Sequence, residues 1–200
     1  MASSISLGAI GSLLLAALAL MGSPGPASIS LAAAGSAYGL RRSLPYLAGI
    51  VAGTTLVLLA VATGITAALL AAPALRAVLT AVSLAYILWL AYHVATAPPL
   101  GDGAGAAAPS LAGGTLLGVA NPKAWIAIGA VFASVELAGS ATTDALVKLA
   151  LLSVMIVLCS AAWLLAGASL APLLRHPRRA RVINGTFAAA LVAATVLALL

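Results

Sequence analysis

Long apolar stretches run through the chain, and each ends at a short cluster of Arg, Pro, Gly or acidic residues. Their continuity is the signal. Strict apolar–polar alternation would mark half-buried strands, and lipid-facing barrel strands alternate in the same way. Unbroken apolar stretches of about 20 residues instead form helices that satisfy their own backbone in hydrocarbon. Walking from one polar cluster to the next predicts six. The first runs from Ile5 to Tyr38 and stops before Arg41-Arg42, and the second from Ser43 to Ala71. Pro73 marks a turn into the third, Ala74 to Ala95, and the fourth runs from Leu111 to Val135. The fifth begins near Thr143 or Asp144, either of which suits an N-cap, and ends before Pro172. The sixth runs from Val182 to Leu200. Residues 96–110, rich in Gly, Ala and Pro, carry no periodic pattern and read as a flexible loop.

Composition narrows this to one class. Of 200 residues, 64% are hydrophobic and only 6% charged, more apolar surface than a soluble fold of this size can bury. The expected fold is an all-α polytopic membrane protein. The net charge of +6 does not point to nucleic acid, because the basic residues sit in connectors and aromatics make up only 4%. They read as topology-setting charges beside anionic membrane lipid. Arg41, Arg42, Arg175, Arg178, Arg179 and Arg181 fall on one side of six spans, which the positive-inside rule makes cytoplasmic. Both termini then face outward. If the first segment does not cross completely, five spans remain and the N-terminus moves inside. The N-terminal stretch lacks the basic start of a signal peptide and leads into further spans, so it reads as the first span. Cys159, the single cysteine, reads as a small packing residue.

Two spans are interrupted, the first at "GSPGP" (Gly22 to Pro26) and the fourth at "VANPKAW" (Val119 to Trp125). Each opens a set of three spans, and three is odd, so two copies of such a set lie in the membrane with opposite orientation. Broken helices at matching places in inverted repeats point to a transporter's binding site. The alternative is a pair of simple proline kinks, which membrane helices tolerate. A proline inside a helix removes a hydrogen bond and costs about 3 kcal/mol. The restarted helix then offers unpaired N–H groups and a partial positive charge to a carboxylate. Pro26 and Pro122 each sit at such a restart, and Lys123 adds a full positive charge. The carbonyls before Pro24 and Pro122 lose partners and are expected to accept from an ammonium group. The candidate binding residues are therefore Pro24, Gly25, Pro26, Asn121, Pro122 and Lys123. For Lys123 there is a second reading, in which it snorkels to the interface.

"SPGP" followed by "GLRRSLPYLAGIVAG", with "NPKAW" in the second half, resembles the LysE/RhtB family of amino-acid and small-solute exporters over essentially the whole chain. The resemblance implies efflux of amino acids or related metabolites from the cytoplasm, driven by the proton gradient. The six candidate residues carry over by position. Two places depart from the family pattern. Ala27 stands where many members have Asp or Asn after Pro-Gly-Pro, and "AWIAIGAVFASVE" replaces an aromatic stretch with Pro-Gln-Phe. Both bear on which solute is carried.

Residues 1–95 are thus expected to form a first three-helix repeat, 96–110 a cytoplasmic loop and 111–200 a second repeat. Asp102, Glu136, Asp144, His93 and His176 all fall in connectors or at span ends, so proton coupling rests on the resemblance. Tyr and Trp residues near span ends default to an interfacial belt, with Trp125, two places after Lys123, as the exception to watch. The pairs Gly35/Gly39, Gly49/Gly53 and Gly114/Gly118 are explained by close internal packing and do not establish a homo-oligomer. Ser28, Ser30, Ser36, Thr54 and Thr55 either face a substrate or bond their own backbone. No zinc-ligand cluster, paired carboxylates or nucleophile–base pattern suggests an enzyme, and no cofactor is implied. A non-transporting membrane scaffold is the remaining alternative, though it has no use for two matched breaks and an intramembrane lysine.

Overall fold

The computed structural model describes residues 6–64, 73–97 and 108–199, and among these it contains helices and short connections but no strand. The helices are α1 (Leu7–Met21), α2 (Pro26–Tyr38), α3 (Leu40–Ala62), α4 (Pro73–Ala95), α5 (Leu111–Ala120), α6 (Pro122–Ala133), α7 (Ala141–Ser169) and α8 (Pro177–Leu199). A short 3-10 turn, Ala171–Arg175, precedes α8. Helices α3, α4, α7 and α8 are each long and apolar enough to cross a bilayer. The pairs α1–α2 and α5–α6 qualify together, bent at their breaks by 66° and 59°. Counting each bent pair as one span gives six, the architecture of an all-α polytopic membrane protein. The order bent pair, long helix, long helix occurs twice along the chain.

Several boundaries differ from expectation, each for a local reason. Helix α3 starts at Leu40 rather than Ser43, because Gly39 at φ 78° turns the chain within one residue. Arg41 and Arg42 therefore ride exposed in its first turn. It ends at Ala62 rather than Ala71, and Gly64 at φ 73° follows. Helix α7 is capped at Ser140, not at Thr143 or Asp144. Asp144 turns back instead and accepts the Leu137 N–H at 2.6 Å, pinning the α6–α7 connector. Helix α8 begins at Pro177 rather than Val182, so Arg178, Arg179 and Arg181 project from its first turns into the surroundings. The expected loop falls largely on 98–107, with Asp102 in it, and lies outside the described residues, as do the first five residues and 65–72.

One end of the bundle gathers the α2–α3 junction, the end of α4 and the start of α8. Tyr38 donates its hydroxyl to the His93 carbonyl at 3.5 Å, and the Asn184 amide reaches the Ala97 carbonyl at 3.4 Å. This is the basic end, as the charge pattern predicts. Above it lies a core containing Leu31, Tyr46, Ile50, Leu117 and Leu164. A second core at the opposite end contains Leu13, Leu58, Ile128, Leu152 and Ile156. Both breaks fall between these two cores.

Glycines set the closest approaches. Gly49 and Gly53 of α3 face Gly114 and Gly118 of α5, so these repeats are spent on internal packing, as expected. A methyl on Gly49 would strike the Leu111 carbonyl, and one on Gly118 would come within 2.9 Å of the Ile50 carbonyl. Gly35 of α2 lies likewise against the Leu164 and Ala168 backbone of α7.

At the far end, Lys148 is buried, pairs with Asp144 at 2.7 Å and lies over the Phe132 ring at 5.1 Å. An Asp144→Asn substitution leaves that ammonium without its counter-charge and weakens the connector pin. It is expected to cost about 1–3 kcal/mol, read as a lower temperature of half-loss of monodisperse protein in detergent. An unchanged profile would show that the pair carries no net stability.

Candidate functional site

At the first break the chain is unwound between Met21 and Pro26, and its freed carbonyls do not stay free. The Trp163 indole donates to the Gly22 carbonyl at 3.1 Å. Lys123 crosses from the second break, its ammonium 2.6 Å from the Ser23 carbonyl, 2.8 Å from the Ser23 hydroxyl and 2.8 Å from the Pro24 carbonyl. The snorkelling alternative does not describe this side chain, which turns inward to bridge the two breaks. Gly25 is explained by the same contact. Its backbone is extended, with φ −169°, and makes no demand for glycine. A Cβ there would lie 2.6 Å from the Lys123 Cδ and 2.9 Å from its Nζ.

The second break is closed by its own residues. The Asn121 side chain accepts the Lys123 N–H at 3.2 Å, and its carbonyl accepts the Ala124 N–H at 3.0 Å. The buried Trp125 indole donates to the Val119 carbonyl at 2.7 Å. The two breaks thus differ in polarity. At α6 the first-turn donors are consumed, since Pro122 has none and Asn121 caps the next. At α2 the cap is Gly25, which has no side chain to offer, and Pro26 takes the first helical position. Among the described residues, no acceptor bonds the N–H groups of Ala27 and Ser28. The open positive pole is that of α2, and the carbonyl pole expected to be free is occupied by Lys123.

Beside this junction lies a cavity of about 60 Å³. A single water needs about 10–15 Å³. Its lining draws Leu31 and Ile50 from the basic-end core and Ala124, Ile128 and Ile156 from the opposite one. Polar groups enter from Ser28, Thr54, Asn121, Lys123 and Ser160. A larger groove of about 670 Å³, open to the surroundings at Leu20, Ile126 and Leu197, runs from Ser23, Pro24 and Lys123 along α8, away from the basic end. That is within the size range of small-molecule sites. Gly25 and Lys123 line both cavities. Of the six candidate residues, Pro24, Gly25, Asn121 and Lys123 line one or both. Pro26 and Pro122 line neither and serve to start helices.

Sequence reasoning left Trp163 to line a path or, by default, to join the interfacial belt, and set Cys159 in the packing. Both line the small cavity. The spacing Ile156, Cys159, Ser160, Trp163 puts them on one helical stripe, the signal that was available. Ser28 and Thr54 also line it; the Ser28 hydroxyl in addition donates to the Ser23 carbonyl at 3.4 Å, and Ser30 and Ser36 bond the Ala27 and Ala33 carbonyls. Among the described residues, no carboxylate lies within ion-pair distance of Lys123. Among the described residues, no group of three or more His, Cys, Asp or Glu gathers to hold a metal.

The sequence signature of the LysE type translocators matches residues 10–200. The cysteine/O-acetylserine efflux proteins of Salmonella choleraesuis (strain SC-B67) and Salmonella typhimurium (strain LT2) are each 42% identical over 82 residues, which is 40% of this chain and 42% of theirs. The chain thus matches these curated relatives over about two fifths of their length. No solved structure matches it.

Proposed function

The chain belongs to the LysE type translocator family, and from that premise we propose that it exports small amino-acid-like zwitterions from the cytoplasm across the inner membrane, coupled to the proton gradient. One observation carries the choice of solute. The first break presents both complements of an amino acid within a few residues, Ala27 and Ser28 on the small cavity and Ser23 and Pro24 on the larger one, the two meeting at Gly25 and Lys123. The Ala27 and Ser28 N–H groups, at the positive end of α2, suit a carboxylate. The Ser23 and Pro24 carbonyls suit an ammonium. The lining brings no carboxylate among the described residues, so a basic side chain has no counter-charge there, and Ser28, Thr54 and Ser160 offer hydroxyls to a modest polar group. Small neutral solutes of the kind named for the Salmonella relatives fit that description. The basic end faces the cytoplasm. Residues 1–95 and 111–200 act as inverted halves joined by the cytoplasmic segment 96–110, and exchange access to the site.

The test is transport by the purified protein in liposomes loaded with labelled O-acetylserine. Imposing an acidic exterior is expected to drive efflux well above that of protein-free liposomes. Loss of label at the protein-free rate, with L-cysteine giving the same result, would end the exporter reading for these solutes.

A further inference from the structure

Lys123 sits where a solute's ammonium would sit. Its Nζ makes three contacts of 2.6 to 2.8 Å with Ser23 and Pro24, the acceptors expected to receive a zwitterion's amino group. Two ammonium groups cannot share them. They would repel each other at contact distance in a poorly solvated site, and there are too few acceptors for six N–H donors. Without a carboxylate nearby among the described residues, no counter-charge stabilises a second cation.

We infer that Lys123 is the proton carrier of the transporter, and that solute and proton are exchanged because the Lys123 ammonium and the solute ammonium compete for the Ser23 and Pro24 carbonyls. The inference rests on the exporter reading above and names its coupling residue. When the zwitterion arrives from the cytoplasm, Lys123 releases one N–H proton to water on that side and keeps the electron pair on Nζ. The solute's ammonium then donates to the two carbonyls, and its carboxylate takes the Ala27 and Ser28 N–H groups. After release outside, Nζ takes one proton from external water and returns to the carbonyls. One proton enters for each solute that leaves.

The present geometry matches the stage after release. The carbonyls hold Lys123, and the larger groove beside it extends along α8 toward the end away from the arginines. Other titratable groups do not offer the same exchange. From α7, only Cys159 faces the small cavity. Tyr46 of α3 is buried in the basic-end core and donates to Ser30 at 3.0 Å. The α1, α6 and α8 residues lining the two cavities include no further titratable side chain. The Asp144–Lys148 pair lies about 16–22 Å along α7 from Cys159.

The experiment adds O-acetylserine to the full-length protein in weakly buffered, near-neutral detergent solution. It measures binding and proton release together. Wild type is expected to release up to one proton per solute bound. Lys123→Met, which cannot titrate, is expected to bind yet release none, and to lose gradient-driven accumulation. Lys123→Arg keeps its charge on the carbonyls and is expected to bind at least about tenfold more weakly, again without release. 3-Acetoxypropionate, which lacks the ammonium, is expected to bind wild type without releasing a proton, an arm that needs no variant to fold. Binding of O-acetylserine to wild type with no proton release overturns the inference and leaves the exporter reading intact. Release by Lys123→Met equal to wild type does the same. Absence of any binding or counterflow by wild type overturns both.

Discussion

A valine at Gly25 is expected to reduce gradient-driven efflux by roughly tenfold to a hundredfold while the protein still reaches the membrane. The reason is local. A Cβ at this position already meets the Lys123 Cδ at 2.6 Å, and two further methyls leave the lysine stem no room across the break. Lys123 loses its three acceptors, the Pro24 carbonyl loses its donor, and the Ser23 carbonyl keeps only the Ser28 hydroxyl at 3.4 Å. Hydrogen bonds to a charged group contribute about 1.5–3 kcal/mol each, and 1.4 kcal/mol is a factor of about ten. Overpacking adds about 1–3 kcal/mol of its own. The same substitution in a Lys123→Ala background removes the collision, so its cost to thermal stability in detergent should shrink. Equal costs in the two backgrounds would show that the lysine is not what demands glycine at position 25.

The contact behind that prediction is where sequence reading stopped. Charge clusters and unbroken apolar length were sufficient for the helical class and the helix order, because those features are local and additive along the chain. Helix ends shifted where one glycine took a left-handed turn, as at Gly39 and Gly64, or where an acid preferred a tertiary partner over a cap, as at Asp144. The breaks themselves were legible from proline chemistry. Their partners were not, because each freed carbonyl is met from a distant part of the chain. Trp163 reaches Gly22 across 141 positions, and Lys123 reaches Ser23 across 100. The lysine was seen as a charge that would attract a carboxylate. The fold instead makes it a donor that occupies an ammonium's place, and the open N–H groups belong to the other break.

The glycine seam and the site are mechanically one unit, which sets the last expectation. Gly118 lies two residues before the end of α5, and the chain passes from there directly into Asn121, Pro122 and Lys123. A side chain at Gly118 or Gly49 cannot be absorbed by a rotamer change, because the atoms it meets are backbone. At Gly49 they include the Thr115 nitrogen at 2.8 Å and the Gly114 Cα at 3.0 Å. The helices must separate, and the start of α6 must move with α5. Gly49→Ala is expected to cost about 1–3 kcal/mol. Gly49→Leu, which adds three more carbons against the same backbone, is expected to leave almost no monodisperse protein after extraction. The graded series distinguishes a steric seam from a general dislike of substitution. Leu56 on the same helix is half exposed, so Leu56→Ala should elute as wild type does. If Gly49→Leu elutes with wild-type yield and still drives efflux, α3 and α5 do not meet through their glycines, and the Lys123 bridge cannot depend on their spacing.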